Sequence, residues 1–96
     1  MKTPEGRLKD AIKRHLTEKG AYFFMPVQTG YGRRGVDIFC CVRGLFVAIE
    51  TKAPGKKPNP TQKHCLQQVR DAMGIAFWCD SFESYRRQLM QAGIVA

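Results

Sequence analysis

The sequence lacks the features that mark several large classes of protein. No apolar run approaches the ~20 residues that cross a bilayer, and the N-terminus has no apolar signal core, so we expect no membrane partner. Internal repeats, linkers and low-complexity tracts are also absent. We therefore expect residues 1–96 to form a single domain with a modest core, located in the cytoplasm.

A zinc-binding pattern is missing although four cysteines are present. Cys40 and Cys41 are neighbours, while Cys65 and Cys79 stand apart. The chain therefore has no C-x-x-C pair, and no histidine lies at zinc-finger spacing from such a pair. Because all four cysteines lie in apolar segments, we expect buried free thiols in a reducing compartment.

Acidic residues are few. Eight Asp and Glu stand against sixteen Lys and Arg, so the formal net charge is +8. Hydrophobic residues make up 44% of the chain, as in an ordinary globular domain. The excess of positive charge indicates a polyanionic partner, nucleic acid first and an anionic membrane surface second. A basic protein without such a partner remains the alternative at this point.

The hydrophobic pattern predicts seven elements in the order α-β-β-β-α-β-α, and hence an α/β fold. The turn Arg43-Gly44 joins two apolar runs into a hairpin. The strand-helix-strand unit that follows implies a parallel pair, so the sheet is expected to be mixed. Strands are predicted over residues 21–27, 36–42, 45–52 and 75–79. Helices are predicted to begin at Thr3-Pro4, Asn59-Pro60 and Asp80-Ser81 and to end at Gly20, Gly74 and Gly93.

The first helix carries an apolar stripe that Glu5 extends at its N-terminal end. Glu5 is therefore expected to point toward the core side, whereas Lys9, Lys13 and Arg14 are expected to point more to solvent. An acid that only complements the helix dipole is the alternative for Glu5. The second helix is expected to bury a stripe made of Cys65, Leu66, Val69, Ala72 and Met73.

Two carboxylates interrupt the apolar hairpin near the same end. Asp37 begins the first run and Glu50 ends the second, and Lys52 follows on the same face as Glu50 because side chains alternate along a strand. Charge at the end of an apolar strand is costly to bury without a purpose. Two carboxylates suit a Mg²⁺-type ion, and the main-chain carbonyl of Thr51 offers a third oxygen. A same-face ion pair between Glu50 and Lys52 is the alternative.

Two basic loops flank this cluster. Residues 28–35 contain three glycines with Arg33 and Arg34, and residues 53–60 contain Lys56 and Lys57. Flexible basic segments beside candidate metal ligands suit contact with phosphate groups. Solvated turns with surface arginines are the alternative. Together the acids, the lysine and the loops favour metal-dependent hydrolysis of a phosphodiester.

Glu5, Gly35-Val36-Asp37, Glu50-Thr51-Lys52 and Thr61-Gln62 at a helix start form a pattern that resembles the PD-(D/E)XK nuclease superfamily. More narrowly, it resembles the stand-alone VRR-NUC domains of phage and bacterial genomes, which also occur as the catalytic module of larger eukaryotic repair nucleases. The resemblance extends from the first helix through Leu89. One departure is Val36, where the family often has a proline.

The resemblance implies a structure-selective DNA endonuclease that uses Mg²⁺ or Mn²⁺ and resolves four-way (Holliday) junctions as a homodimer in a bacterial or phage-infected cell. It implies Lys52 as the catalytic lysine and Gln62 as a residue lining the site from the second helix. The DNA contacts are expected to include Lys63 beside the basic loops. The implied metal ligands are Asp37, Glu50, the Thr51 carbonyl and, directly or through water, Glu5.

Two other functions remain open from the residues. The same fold without turnover would act as a DNA-binding or general nicking module, although the intact set of two acids and a lysine disfavours this. An RNA-directed or purely structural basic protein is the third option.

Overall fold

The computed structural model describes residues 2–26 and 36–94, which form a four-stranded sheet with three helices. The helices are α1 (Pro4–Glu18), α2 (Pro60–Asp71) and α3 (Phe82–Gln91). The strands are β1 (Tyr22–Phe24), β2 (Ile38–Val42), β3 (Leu45–Thr51) and β4 (Ile75–Cys79). The predicted order of elements and the α/β class are therefore confirmed. None of the helices in this described part of the chain has the length and apolar character needed to cross a membrane.

The helix starts follow the predicted capping residues. Thr3 Oγ1 accepts a hydrogen bond from the Gly6 N–H at 3.0 Å. Asn59 and Gln62 form a reciprocal capping box, in which each side-chain oxygen accepts from the other's backbone N–H. In the third helix the cap is Ser81, because its hydroxyl accepts from a backbone N–H of the first turn.

The sheet order is β1-β2-β3-β4, with antiparallel pairing between the first three strands and a parallel pair between β3 and β4. Arg43 (φ 56°) and Gly44 (φ 80°) both adopt the left-handed region. A two-residue hairpin turn requires this conformation so that its twist matches the right-handed twist of the flanking strands. The mixed sheet and the hairpin turn are thus confirmed. The first strand ends at Phe24, before Pro26, which cannot donate to a ladder. Residue 27 of the predicted strand lies outside the described residues.

The main core lies between the sheet and the pair α1 and α3. Alternate residues of the strands face this side, among them Ile38, Val47 and Ile49, which are fully buried. They pack against the apolar stripe of α1 and against the inward face of α3, whose Tyr85 is 0% exposed. This core holds α1 in place over the sheet and so determines where its N-terminal turn lies.

The opposite face of the sheet is covered by α2 over a smaller area. Leu66 of α2 is buried there against Val36, Ala48 and Ala76. The predicted stripe is wrong at its C-terminal end, since Met73 is 91% exposed. The reason is that Met73 has a φ of 74° and turns away two residues after the last residue of the helix, Asp71.

Ala72 is also exposed rather than buried. Gly74, which was predicted to end α2, lies just past the helix, where its N–H donates to the Val69 carbonyl at 2.9 Å. It also serves a packing role. A Cβ there would lie only 2.8 Å from Val69 Cγ1 and 3.3 Å from Phe46 Cδ2. The glycine therefore permits the close approach of this turn to the sheet.

The cysteines are all free, but they are not all buried. Cys40 and Cys79 face the main core, and burial raises the pKa of these thiols to about 11 and about 12. Cys65 is half-buried and Cys41 is exposed. The prediction of four buried thiols is wrong for Cys41, because it follows Cys40 along β2 and so points to the other face of the sheet.

Candidate active site

The hairpin register brings Asp37 and Glu50 to the same end of the sheet. Ile38 pairs with Ile49, so the next position along places Asp37 beside Glu50. Asp37 Oδ2 accepts two hydrogen bonds from Thr51, from the backbone N–H at 2.9 Å and from the hydroxyl at 2.7 Å. These bonds hold the Asp37 carboxylate in one orientation and leave its Oδ1 oxygen for other partners.

Glu50 is the buried charge of the cluster. Its side chain is 2% exposed, and its Oε1 oxygen is buried without a hydrogen-bond partner. Burial raises the pKa of the Glu50 carboxyl from 4.5 to about 7, and the negative charge of Asp37 adds to the rise, while Lys52 opposes it. A buried oxygen that lacks a partner costs free energy, so its presence calls for an explanation.

Lys52 lies on the same side as Glu50, as strand alternation predicts. Its Nζ is 3.3 Å from Glu50 Oε2, and its side chain is 18% exposed. The backbone N–H of Lys52 donates to the Cys79 carbonyl at 2.9 Å, which anchors the residue at the end of β3. The pair is thus not an ion pair at a frayed strand end, because the glutamate is inside the protein.

Lys9 is the residue of this cluster that sequence reasoning placed wrongly. Instead of pointing to solvent, its Nζ lies 3.7 Å from Glu5 Oε2 and 3.5 Å from Asp37 Oδ1. The spacing of four residues between Glu5 and Lys9 puts both on one face of α1. This spacing was the signal in the sequence, but the position of Asp37 across from that face depends on how α1 packs on the sheet.

Glu5 reaches the site through Lys9. Its predicted position on the core side of α1 agrees with its half-buried side chain, and its negative charge contributes to the raised pKa of Glu50. In the described part of the chain no three His, Cys, Asp or Glu side chains converge as a metal-binding group. Glu5 as a metal ligand therefore stays a prediction.

The residues present fit a hard divalent cation. Asp37 and Glu50 supply carboxylate oxygens, and the unpartnered Oε1 of Glu50 is the kind of atom that a cation would satisfy. Mg²⁺ is commonly held by one or two carboxylates, with waters and substrate phosphate completing the shell. Two protein carboxylates and the Thr51 carbonyl would thus be enough for Mg²⁺ or Mn²⁺.

The basic groups predicted to contact DNA lie on exposed segments where the structure describes them. Lys56, Lys57 and Lys63 are exposed, whereas Arg33 and Arg34 fall outside the described residues. The Gly55 N–H donates to Asp80 Oδ2 at 3.1 Å, so the loop with the two lysines is tied to the end of β4. Asp80, predicted as part of a helix cap, thus binds this loop.

Gln62 uses its side-chain oxygen in the capping box of α2 at a distance of 2.9 Å from the Asn59 nitrogen. The predicted start of the helix is therefore confirmed. A role for Gln62 in the chemistry stays a prediction.

Two surface depressions lie away from the acid pair, on α1 and α3. His15 lines one of them, and its Nδ1 is 2.8 Å from the Tyr85 hydroxyl. Burial lowers the pKa of His15, which favours the neutral ring. Because Tyr85 is a core residue, this hydrogen bond satisfies a buried hydroxyl and joins the two helices.

Comparison with known proteins shows the fold. No protein-family model and no curated protein sequence matches the chain. A solved structure described as a VRR_NUC domain matches with a TM-score of 0.79 at 22% identity, over 94% of this chain and 97% of that one. The fold that the resemblance implied, that of a VRR-NUC domain, is thereby confirmed over nearly the whole chain.

Proposed function

We propose that this chain is a divalent-metal-dependent endonuclease that hydrolyses phosphodiester bonds in DNA. The observation that carries the proposal is Glu50, a carboxyl that is 2% exposed and has an unpartnered oxygen, next to Asp37 and Lys52. A purely structural protein gains nothing from such a costly arrangement. The fold is that of a VRR_NUC domain, which agrees with this activity.

Asp37 and Glu50, with the Thr51 carbonyl, would hold Mg²⁺ or Mn²⁺. When bound, the ion neutralises charge on the phosphate and makes a bound water a stronger nucleophile. The Thr51 hydroxyl donates to Asp37 Oδ2 at 2.7 Å and so keeps the Asp37 carboxylate oriented. Lys52 would orient the attacking water or hold the scissile phosphate, since its ammonium lies 3.3 Å from Glu50 Oε2.

The basic segments would bind the DNA backbone. Three lysines that follow the predicted metal ligands in the sequence are exposed, namely Lys56, Lys57 and Lys63. We place Arg33 and Arg34 in the same DNA-binding role. A net charge of +8 favours association with a polyanion. Such binding releases counterions, so it should weaken steeply as the salt concentration rises.

We place a homodimer interface on an aromatic patch formed by Tyr22, Phe24, Phe39 and Phe46. The rings of the three phenylalanines stack at centroid distances of 5.6 Å, and Phe24 and Phe46 are 50% and 47% exposed. Exposed apolar patches commonly mark interaction surfaces. Two copies that each carry +8 would meet with least repulsion through an uncharged patch.

A twofold dimer presents two active sites related by symmetry. A four-way junction has the same symmetry, so paired incisions on opposing strands would follow. We therefore propose branched DNA, and four-way junctions in particular, as the substrate.

The first prediction concerns cleavage. With Mg²⁺ or Mn²⁺ the wild-type protein should place symmetric nicks on a four-way junction, and EDTA should stop the reaction. Lys52→Ala should cut at least about 100-fold more slowly, the range for removing one positioned catalytic group, while it still binds the junction. Gel analysis of labelled junction and of a linear duplex measures both.

Lys19→Ala serves as the control, because it removes the same charge from the exposed C-terminal end of α1. Equal cutting by Lys52→Ala and Lys19→Ala would remove Lys52 from the mechanism. Intact DNA after incubation of the wild type with either metal, with binding retained, would point to a DNA-binding module without turnover. Equal nicking of the linear duplex would point to a general nicking enzyme.

A further inference from the structure

Lys9 faces the one oxygen of Asp37 that Thr51 does not use. Both hydrogen bonds from Thr51 end on Asp37 Oδ2, and Lys9 Nζ lies 3.5 Å from Oδ1. A carboxylate oxygen has two lone pairs, so two donors satisfy Oδ2. A cation that binds Asp37 must therefore use Oδ1, which is the oxygen that Lys9 already contacts.

The same ammonium also faces Glu5, whose Oε2 is 3.7 Å away. The charges of the cluster thus divide into two sets. Lys52 pairs with Glu50 at 3.3 Å, and the single positive charge of Lys9 is shared between Asp37 and Glu5. With its side chain 28% exposed, Lys9 is less screened by water than a surface lysine.

We propose that Lys9 is an internal counter-ion of the metal site, whose single positive charge is shared by Asp37 and Glu5 in the metal-free protein and which leaves Asp37 Oδ1 when a divalent ion binds. This inference rests on the proposed function. Lys9 is here a positioning residue: it keeps the acids together before the metal arrives, and it competes with the metal for one ligand. The site is thereby stable when empty, at the expense of metal affinity.

The test is a calorimetric titration of the full chain with Mn²⁺. Lys9→Gln removes the competing charge and keeps a polar side chain, so Mn²⁺ should bind about threefold to tenfold more tightly than to the wild type. Lys9→Arg keeps the charge and should bind Mn²⁺ as the wild type does. Unchanged or weaker binding by Lys9→Gln would overturn the inference.

Lys13→Gln is the matched control, since it makes the same charge change one turn further along α1. Lys13 Nζ lies 3.8 Å from Asp10 Oδ1, in a pair that does not include the acids of the site. Its affinity for Mn²⁺ should stay within about twofold of the wild type. Equal tightening by Lys9→Gln and Lys13→Gln would mean that only the net charge matters, and this would also overturn the inference.

Thermal unfolding provides a second readout. In EDTA, Lys9→Gln should unfold at a lower temperature than the wild type, because Asp37 and Glu5 lose their counter-ion. Saturating Mn²⁺ should then raise its melting temperature by more than it raises that of the wild type. An equal loss of stability with and without Mn²⁺ would indicate a structural role only and contradict the proposal.

These outcomes separate the two proposals. If the wild type gives no binding heat with Mn²⁺, the proposed metal-dependent function fails, and the role of Lys9 fails with it. If the wild type binds Mn²⁺ and Lys9→Gln binds no more tightly but holds the junction more weakly, Lys9 is a phosphate contact. In that case the counter-ion role alone is overturned.

Discussion

At the scale of single residues, Glu50 opposes the folding of the metal-free protein. Burial and the neighbouring charge of Asp37 raise the pKa of the Glu50 carboxyl to about 7. A group whose pKa is higher in the folded state contributes stability below its unfolded pKa of 4.5 and loses it as pH rises through the folded value. Ionised Glu50 therefore destabilises the metal-free protein, and a bound cation would reverse this effect.

The second prediction follows from that sign. In EDTA, the free energy of unfolding of the wild type should fall relative to Glu50→Gln by on the order of 3 kcal/mol between about pH 4 and about pH 8. Urea denaturation at a series of pH values measures the difference. Glu83→Gln, at an exposed glutamate in the first turn of α3, is the control and should keep the wild-type slope. Parallel curves for the wild type and Glu50→Gln would contradict the burial argument.

A second effect at the residue scale is that Thr51 orients the carboxylate of Asp37. Thr51 is 0% exposed, and both its backbone N–H and its hydroxyl donate hydrogen bonds to one oxygen of Asp37. The hydroxyl thus serves the orientation of a proposed metal ligand, a role that the sequence did not indicate. Strand alternation indicates only that the Thr51 side chain points away from Lys52 and Glu50.

The third prediction tests this contact. Thr51→Val keeps the shape of the side chain but removes the donor, so the free energy of unfolding should fall by about 1–3 kcal/mol. The affinity for Mn²⁺ should fall as well, because Asp37 loses its orientation. Chemical denaturation and calorimetry measure the two effects. Thr51→Ser keeps the hydroxyl and should retain metal affinity, and loss of affinity in both variants would argue against an orienting hydroxyl.

At the scale of elements, the outer edge of β4 is protected by side chains. Arg70 Nε donates to the Ala76 carbonyl at 3.0 Å, and Gln88 Nε2 donates to the Trp78 carbonyl at 2.8 Å. These bonds occupy acceptors that a strand from another molecule would need. At the opposite edge, β1 has only three residues. Self-association through the face of the sheet is therefore favoured over pairing at its edges.

The fourth prediction concerns that face. Phe46→Ser should weaken self-association at least about tenfold, as expected for an aromatic side chain at the centre of an interface. Analytical ultracentrifugation over a concentration series measures the dissociation constant. Leu45→Ser is the control, since Leu45 is 41% exposed and points to the opposite face of β3. A monomeric wild type, or equal association by both variants, would exclude the aromatic patch as the interface.

At the scale of the whole molecule, charge and shape assign different parts of the surface to the two proposed partners, DNA and a second copy of the chain. The exposed lysines after β3 and on α2 belong to a chain with a net charge of +8, which attracts a polyanion and repels a second copy. The aromatic patch itself contains no charged side chain, which supports it as the proposed contact between two copies. A small domain also has little core of its own, so burying this patch in a dimer would add stability.

The sequence by itself determined the elements, their order and the pairing of the hairpin. These features depend on neighbours within about four residues, such as the capping box of Asn59 and Gln62 or the turn at Arg43-Gly44, and so they can be read locally. The proximity of Asp37 and Glu50 followed directly from the hairpin. Local periodicity was therefore enough to locate the candidate site.

Only the tertiary structure decided which faces of these elements are covered and what the charged groups contact. Lys9 points to Asp37 because of the way α1 packs over the sheet. Met73 is exposed because the chain turns at that residue, and Cys41 is exposed because it points to the face of the sheet away from the main core. Such contacts join residues far apart in the chain, and their geometry follows from the packing of whole elements, to which no short-range pattern is sensitive.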